Sequence, residues 1–113
     1  MPYIHVNTSK RLEVEKKDAI AAAFGQQISI IPGKSERALM IDITDGDTMY
    51  FAGKRGEFAY VDVEIYGTAT PEVQKQFIEA VFETMNSCAG LGADSVYVTM
   101  HENTYWGKNG SMK

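Results

Sequence analysis

The second residue of this chain is a proline, and it stands directly before a run of alternating polar and apolar residues, YIHVNT. Because proline has no N–H for a strand ladder, it is tolerated at the first residue of a strand, which gives Pro2 a purely structural interpretation. Pro2 also has a chemical interpretation. If Met1 is removed, Pro2 becomes a secondary amine, and an amine of lowered pKa is a candidate general base.

Three other side chains have chemistry to offer, and each also has an ordinary structural interpretation. Lys34 follows Pro32 and Gly33 in a predicted turn, where a lysine is usually just solvated. Tyr97 lies in a predicted strand and Trp106 in the C-terminal tail, YWGKNGS, and both side chains could be core or interface residues. The single cysteine cannot form an internal disulfide and is interpreted as a small core residue.

The elements that position these residues follow from the hydrophobic pattern. Residues 3–8, 38–44, 58–66 and 95–101 alternate polar and apolar types, as half-buried strands do, and TMYFAG at 48–53 predicts a short extra strand. A helix is predicted to begin after Thr70 as N-cap, with Pro71 at its first position. The apolar residues of the two predicted helices recur at a spacing of four: Ile20, Phe24 and Ile28, then Val73, Phe77, Val81 and Met85.

The second half of the chain repeats the pattern of the first half. Aligned without a gap at an offset of 57 residues, YIHVN matches YVDVE, Gly33 matches Gly90, and ALMIDITD matches SVYVTMHE. We interpret this as a duplicated β-α-β unit. The predicted fold class is α/β (α+β): a four-stranded mixed sheet with two helices on one face. One domain is expected over 1–113, with repeats at about 2–45 and 58–102, a connection at 46–57 and a tail at 103–113.

The two faces of the predicted sheet differ in character. The apolar set is expected to form the helix-covered core: Ile4, Val6, Leu39, Ile41, Ile43, Val61, Val63, Val96 and Val98. The opposite face is polar but includes three tyrosines and a methionine: Tyr3, His5, Asn7, Met40, Asp42, Thr44, Tyr60, Asp62, Glu64, Tyr97, Thr99 and His101. Tyrosines concentrate where protein surfaces pair, so this face is predicted to take part in oligomerisation.

Composition excludes several classes of partner. The formal net charge is −4, and the basic residues are scattered rather than gathered in a stripe, so neither nucleic acid nor an anionic membrane is an expected partner. No apolar run is long enough to span a membrane, and no signal-peptide pattern is present, so a cytoplasmic location is expected, with non-classical secretion left open. No metal-ligand spacing such as HExxH occurs, so no metal and no cofactor are predicted.

Taken together, these features resemble the tautomerase superfamily, and within it the branch of macrophage migration inhibitory factor and D-dopachrome tautomerase. The resemblance is carried by MPYIHVNT at the start, PGK at 32–34, FAG at 51–53, IYG at 65–67, VYV at 96–98 and YWGKNGS at 105–111. It implies a homotrimer whose sheets line a central barrel. It also implies a catalytic amino-terminal proline, which corresponds to Pro2 here.

The resemblance assigns further roles by position. It implies that Lys34 binds a substrate carboxylate and that the backbone amide of Tyr66 assists it. Tyr97 would be a second catalytic residue, contributed by a neighbouring subunit. Ile65, Thr99, Trp106 and Tyr3 complete the implied substrate-binding set. Thr99 stands where the family has asparagine, Tyr66 replaces a smaller aliphatic residue, and Trp106 is reached by a shorter connection.

The resulting hypothesis is a cofactor-independent keto-enol tautomerase that acts on a 2-oxo acid or enol such as phenylpyruvate. The main alternative is a binding or signalling protein with a weak or vestigial active site. Related dehalogenases and decarboxylases are disfavoured because GTATPEVQKQF has no arginine, and a redox role is disfavoured because residues 58–61 contain no CxxC motif. An RNA-binding sheet is disfavoured because acidic residues on the tyrosine face would repel phosphates.

Overall fold

The structure, a computed structural model, describes all 113 residues and is built around one four-stranded sheet. The strands are β1 (Pro2–Thr8), β2 (Met40–Thr44), β3 (Tyr50–Phe51), β4 (Lys54–Arg55), β5 (Ala59–Tyr66), β6 (Val96–Asn103), β7 (Gly107–Lys108) and β8 (Ser111–Met112), and the helices are α1 (Val14–Gln27) and α2 (Pro71–Ala89). The sheet order is β2-β1-β5-β6. Two parallel pairs, β1 with β2 and β5 with β6, join through the antiparallel pair of β1 and β5. The predicted mixed sheet with two helices is confirmed.

The two halves of the chain build equivalent elements at the offset seen in the sequence. By subtraction, Ala59 begins β5 57 residues after Pro2 begins β1, and Pro71 begins α2 57 residues after Val14 begins α1. Each half is a β-α-β unit with a parallel strand pair. The two units meet at the centre of the sheet, where Val6 lies opposite Val61.

The N-terminus of α2 forms as its sequence predicts. The Thr70 hydroxyl accepts a hydrogen bond from the Val73 N–H at 3.2 Å, and Pro71 occupies the first turn, where its missing N–H is not needed. The helix ends at Ala89 and is capped by Gly90, whose positive φ of 68° is the left-handed conformation that glycine adopts most readily. This cap fixes where the chain leaves α2 for β6.

The core lies between the helices and one face of the sheet. Seventeen buried apolar residues form a single cluster, which includes Ile4, Val6, Ile20, Phe24, Val61, Val63, Ile65, Phe77, Val81, Met85 and Val96. The predicted core face is therefore correct, but its edge members are only partly buried: Leu39, Ile41, Ile43 and Val98. The reason is topological for Ile41, Ile43 and Val98, because β2 and β6 are the edge strands of the sheet, whereas Leu39 precedes β2.

Several predicted strand boundaries differ from the structure, most of them by one residue, and the larger differences are as follows. The predicted strand 38–44 begins only at Met40, because residues 36–38 form a turn of 3₁₀ helix. The segment 48–53 is not a single extra strand, since β3 and β4 pair with each other in a hairpin that stays outside the main sheet. The last strand runs to Asn103, beyond the predicted end at 101. Neither helix has the length and apolarity that crossing a membrane requires.

Candidate functional site

The largest cleft in the structure lies beside the N-terminus and has a volume of about 670 Å³. It is lined by Met1, Pro2, Tyr3, Ala38, Met40, Glu64, Tyr105, Trp106, Gly107, Lys108 and Asn109. These residues come from the beginning of β1, the start of β2, the end of β5 and the C-terminal tail. Four segments that are distant in sequence therefore converge on the two N-terminal residues.

Pro2 lines this cleft and belongs to the sheet. It is buried, begins β1 and pairs with Ile65 in the antiparallel ladder. The Tyr66 N–H donates to the Met1 carbonyl oxygen at 3.1 Å, which extends the ladder one residue beyond the strand. While Met1 is attached, the Pro2 nitrogen is a tertiary amide whose lone pair is delocalised into the carbonyl group, so it cannot act as a base. Removal of Met1 would leave Pro2 with a secondary amine at the start of β1.

Lys34 reaches the same end of the sheet from the loop between α1 and β2. Its ammonium nitrogen donates to the Tyr66 carbonyl oxygen at 2.6 Å, and the residue is half-buried. Gly33, at a φ of 81°, makes the turn that directs the chain toward this contact. The peptide units of Tyr66 thus connect two predicted site elements, since its N–H binds Met1 and its carbonyl binds Lys34.

Electrostatics at the N-terminus favour a neutral amine. Burial lowers the pKa of the Met1 amino group, and the positive charges of Lys34 and then Lys108 lower it further. A hydrogen bond with Lys34 acts in the same direction. Desolvation and nearby cations both disfavour a protonated amine, so the local environment suits a group that accepts a proton near neutral pH.

The C-terminal tail forms one wall of the cleft. β7 and β8 pair in a small hairpin, and the Lys113 N–H donates to the Trp106 carbonyl oxygen at 2.8 Å, which ties the end of the chain to the start of the hairpin. Trp106 is half-buried, whereas Tyr105 is 70% exposed. The sequence indicated Trp106 but gave no reason to select Tyr105 or Lys108, because the hairpin that brings them to the cleft is a tertiary feature.

Tyr97 and Thr99 do not belong to this cleft within one chain. Tyr97 pairs with Tyr60, which pairs with Asn7, whereas Pro2 pairs with Ile65. The separation along β1 is five residues, or roughly 17 Å. Tyr97 instead lines a smaller aromatic cavity of about 180 Å³, where its ring centroid lies 5.5 Å from that of Phe51.

Tyr97 is also 59% exposed, so its hydroxyl group is available to a second molecule. Thr99 lies in the middle of the polar face, where its hydroxyl contacts the Tyr60 hydroxyl at 2.9 Å and donates to Asp62 at 3.4 Å. Neither contact involves a residue of the cleft.

The side chains of two other predicted residues point in different directions, that of Tyr3 toward the cleft and that of Ile65 into the core. Tyr3 lines the cleft, and its hydroxyl donates to Asp42 at 3.3 Å. Burial raises the pKa of the Tyr3 hydroxyl, and the carboxylates of Asp42 and Asp62 raise it further. Ile65 is fully buried in the core, so only its backbone faces the Pro2 region. Its carbonyl oxygen accepts from the Asn103 side-chain amide at 3.1 Å.

Two carboxylates and an imidazole cluster on the polar face, and one of them, Glu64, also lines the cleft. The donor atoms of Asp62, Glu64 and His101 lie within 4.8 Å of one another, with His101 Nε2 at 3.4 Å from Asp62 Oδ1. Burial and the neighbouring Glu64 raise the pKa of the Asp62 carboxyl, while His101 opposes this shift. We assign no metal to this cluster, because Asn103 already donates to Glu64 at 3.0 Å and His101 contacts Asp62.

Comparison with known proteins identifies the same fold along the whole chain. The sequence model of macrophage migration inhibitory factor matches residues 1–112. The chain is similar to MIF2 of Leishmania major, with 26% identity, a TM-score of 0.92 and coverage of 100% of this chain and 97% of that one.

Two further structures share the fold. The MIF-like protein of Entamoeba histolytica is 20% identical with a TM-score of 0.87, covering 99% and 98% of the two chains. The homologue from Prochlorococcus marinus is 22% identical with a TM-score of 0.86, covering 97% of each. A search of curated proteins found no match. The family match over nearly every residue agrees with the architecture and with the resemblance seen in the sequence: the chain belongs to the macrophage migration inhibitory factor family.

Proposed function

We propose that the protein is a keto-enol tautomerase for 2-oxo acids such as phenylpyruvate, with Pro2 as general base once Met1 has been removed. The observation that carries the proposal is the environment of the N-terminal amine. Burial, followed by the charges of Lys34 and Lys108, lowers the pKa of the Met1 amino group beside a cleft of about 670 Å³, and Pro2, the next residue, lines the same cleft. A neutral amine next to a cationic binding group is what abstraction of a proton α to a carbonyl requires.

In the proposed reaction the substrate carboxylate binds the Lys34 ammonium and the backbone at Tyr66. The Pro2 amine removes a proton from carbon 3 of the keto form as the carbonyl becomes an enolate, and it returns that proton in the reverse direction. Tyr97 of a neighbouring subunit would donate a proton to the enolate oxygen. Tyr3 and Trp106 form apolar walls that exclude water and keep the amine neutral.

The assignment of Tyr97 requires a homotrimer, which we also propose. Its support is the exposed aromatic face of the sheet, where Met40 is 67% exposed and Tyr97 is 59% exposed. Side chains of this type are typical of surfaces that pair. Thr99 lies on the same face and would approach the cleft of the adjacent copy in the same way.

A 2-oxo acid as substrate is supported by the pairing of a carboxylate-binding lysine with a base. A solved structure that shares this fold at 16% identity was determined after inactivation by 2-oxo-3-pentynoate. That observation concerns the other protein, but it agrees with the chemistry proposed here. A cytoplasmic location stays a prediction.

The test compares three forms of the protein in an ultraviolet assay of enol-to-keto conversion, each verified by mass spectrometry. The forms are the chain without Met1, a chain with one alanine inserted before Pro2, and Pro2→Ala. We expect activity in the first form and almost none in the second, because an amide nitrogen is not a base. A large loss is expected in the third, which keeps an amine but loses the ring. Equal activity in the first two forms would exclude Pro2 as the base.

A binding or signalling protein with a vestigial site is the second candidate. The observation that favours it is the position of Tyr97 outside the N-terminal cleft, so that one chain does not assemble the whole proposed site. Absence of activity from the verified, Met1-free form would support this candidate over the enzyme.

A further inference from the structure

The cleft is adjacent to two lysines, although the binding of one carboxylate needs only one. Lys34 approaches the N-terminus from the loop after α1, and Lys108 lines the cleft from the β7 strand of the tail. These segments are separate in the chain and enter the region independently. The family resemblance gave a role to Lys34 and none to Lys108.

Neither lysine has an acidic partner. The ion pairs of the structure involve Lys17 with Asp45 and His101 with Asp62 and Glu64, so both Lys34 and Lys108 are free of carboxylates within 4.0 Å. The cleft has one carboxylate in its lining, that of Glu64. That side chain accepts a hydrogen bond from Asn103 at 3.0 Å and lies 4.0 Å from His101. Two positive charges near the cleft are therefore left without local neutralisation.

We propose that Lys108 binds a second anionic group of the substrate, so that the preferred substrate is a 2-oxo acid with an additional carboxylate. This inference rests on the proposed tautomerase function and narrows its substrate class. In the proposed complex Lys34 holds the carboxylate next to the reacting carbonyl, and Lys108 holds the distal one. Both contacts are charge-assisted hydrogen bonds, which are stronger than neutral ones. Lys108 is a specificity residue in this scheme and takes no part in proton transfer.

A different role for Lys108 would produce a different result. Its charge contributes to the lowered pKa of the N-terminal amine. If that were its whole function, its loss would change the pH profile equally for every substrate. A distal carboxylate contact would instead weaken only those substrates that have a second carboxylate, and it would do so mainly through KM.

The experiment measures kcat and KM of the Met1-free protein with phenylpyruvate and with 4-carboxyphenylpyruvate, which differ only in the distal carboxylate. Enol-oxaloacetate serves as a shorter dicarboxylate. Lys108→Met removes the charge, Lys108→Arg retains it, and Lys113→Met is the matched control on the same tail. We expect Lys108→Met to raise KM about tenfold for at least one dicarboxylate while KM for phenylpyruvate changes less than about twofold. Lys108→Arg should restore most of the difference, and Lys113→Met should have no effect.

The inference is overturned if Lys108→Met changes the monocarboxylate and both dicarboxylates by the same factor, or if it changes none of them. A wild-type protein that is inactive on all three substrates would instead refute the proposed function itself. Circular dichroism of each variant establishes that the exposed tail position has been changed without loss of the fold.

Discussion

Replacement of Lys34 by alanine tests the proposed site most directly, because one side chain has two separable effects there. Lys34 is half-buried, donates to the Tyr66 carbonyl at 2.6 Å and lowers the pKa of the N-terminal amine. As the proposed carboxylate-binding group, Lys34 affects substrate binding. As a cation close to the N-terminus, it affects the protonation state of the base. A simple solvated lysine would have neither.

The size of the binding effect follows from the contact that is lost. A hydrogen bond to a charged group contributes about 1.5 to 3 kcal/mol, which corresponds to a loss of roughly 10- to 150-fold in kcat/KM for phenylpyruvate. The cost in folding should be about 1 to 2 kcal/mol, because the bond to the Tyr66 carbonyl also has a charged donor but lies at a half-buried position where water partly replaces it. Chemical denaturation separates this stability change from the kinetic one.

The effect on pH has a definite sign. The Lys34 charge lowers the pKa of the Met1 amino group, and in the proposed Met1-free enzyme we expect it to act on the Pro2 amine in the same direction, so loss of this charge should raise the pKa of the base. Because the base must be unprotonated, the acid limb of kcat/KM against pH should move to higher pH in Lys34→Ala. Lys34→Arg keeps the charge and should leave the limb close to its original position. Lys75→Ala, on the exposed surface of α2, is the control for general changes in charge.

Unchanged kcat/KM for phenylpyruvate together with an unmoved acid limb would refute both proposed roles of Lys34. Lys34 would then be only a solvated residue of the turn. A loss of kcat/KM in Lys34→Ala that Lys34→Arg fully restores, with no movement of the limb, would support the binding role alone.

Two further predictions follow from other parts of the structure. Mixing Tyr97→Phe subunits with subunits whose Pro2 is blocked by an inserted alanine should recover measurable tautomerase activity after reassembly, because intact sites would combine Pro2 of one copy with Tyr97 of another. A monomer by light scattering with full activity would contradict the shared site. Asp45 accepts hydrogen bonds from the Leu12 N–H at 2.8 Å and from Lys17 at 2.9 Å, and these contacts hold the pKa of its carboxyl below the ordinary value. Its contribution to stability is therefore present above about pH 4 and is lost as the pH falls through the lowered pKa, so the gap in thermal stability between wild type and Asp45→Asn should close in acid. A gap that stays constant with pH would show that the Asp45 charge has no role.

The repeat, the core face and the start of the second helix can be predicted from the sequence alone. These are local or periodic properties: alternation fixes which side of a strand is buried, and Thr70 with Pro71 specifies a helix start through hydrogen bonds within one turn. The prediction was less accurate for the edge strands, because the burial of Ile41 or Val98 depends on how many neighbours a strand has, and the sequence pattern does not encode that number.

The assembly of the candidate site depends on contacts between distant segments, which only the tertiary structure shows. Pro2, Lys34 and Trp106 are far apart in the chain, and the sequence placed them together only by resemblance to a family. Two backbone features of the structure bring Pro2 and Lys34 to the same end of the sheet. The β1–β5 ladder puts Pro2 beside Ile65, and the Tyr66 peptide units bind both Met1 and Lys34.

Lys108 could not be selected from the sequence, since a lysine in a polar tail has no periodic or motif signal. Only the folding of the tail into a hairpin against the start of β1 brings its charge to the amine. The separation of Tyr97 from Pro2 is likewise a consequence of strand register, which long-range pairing sets and local sequence does not.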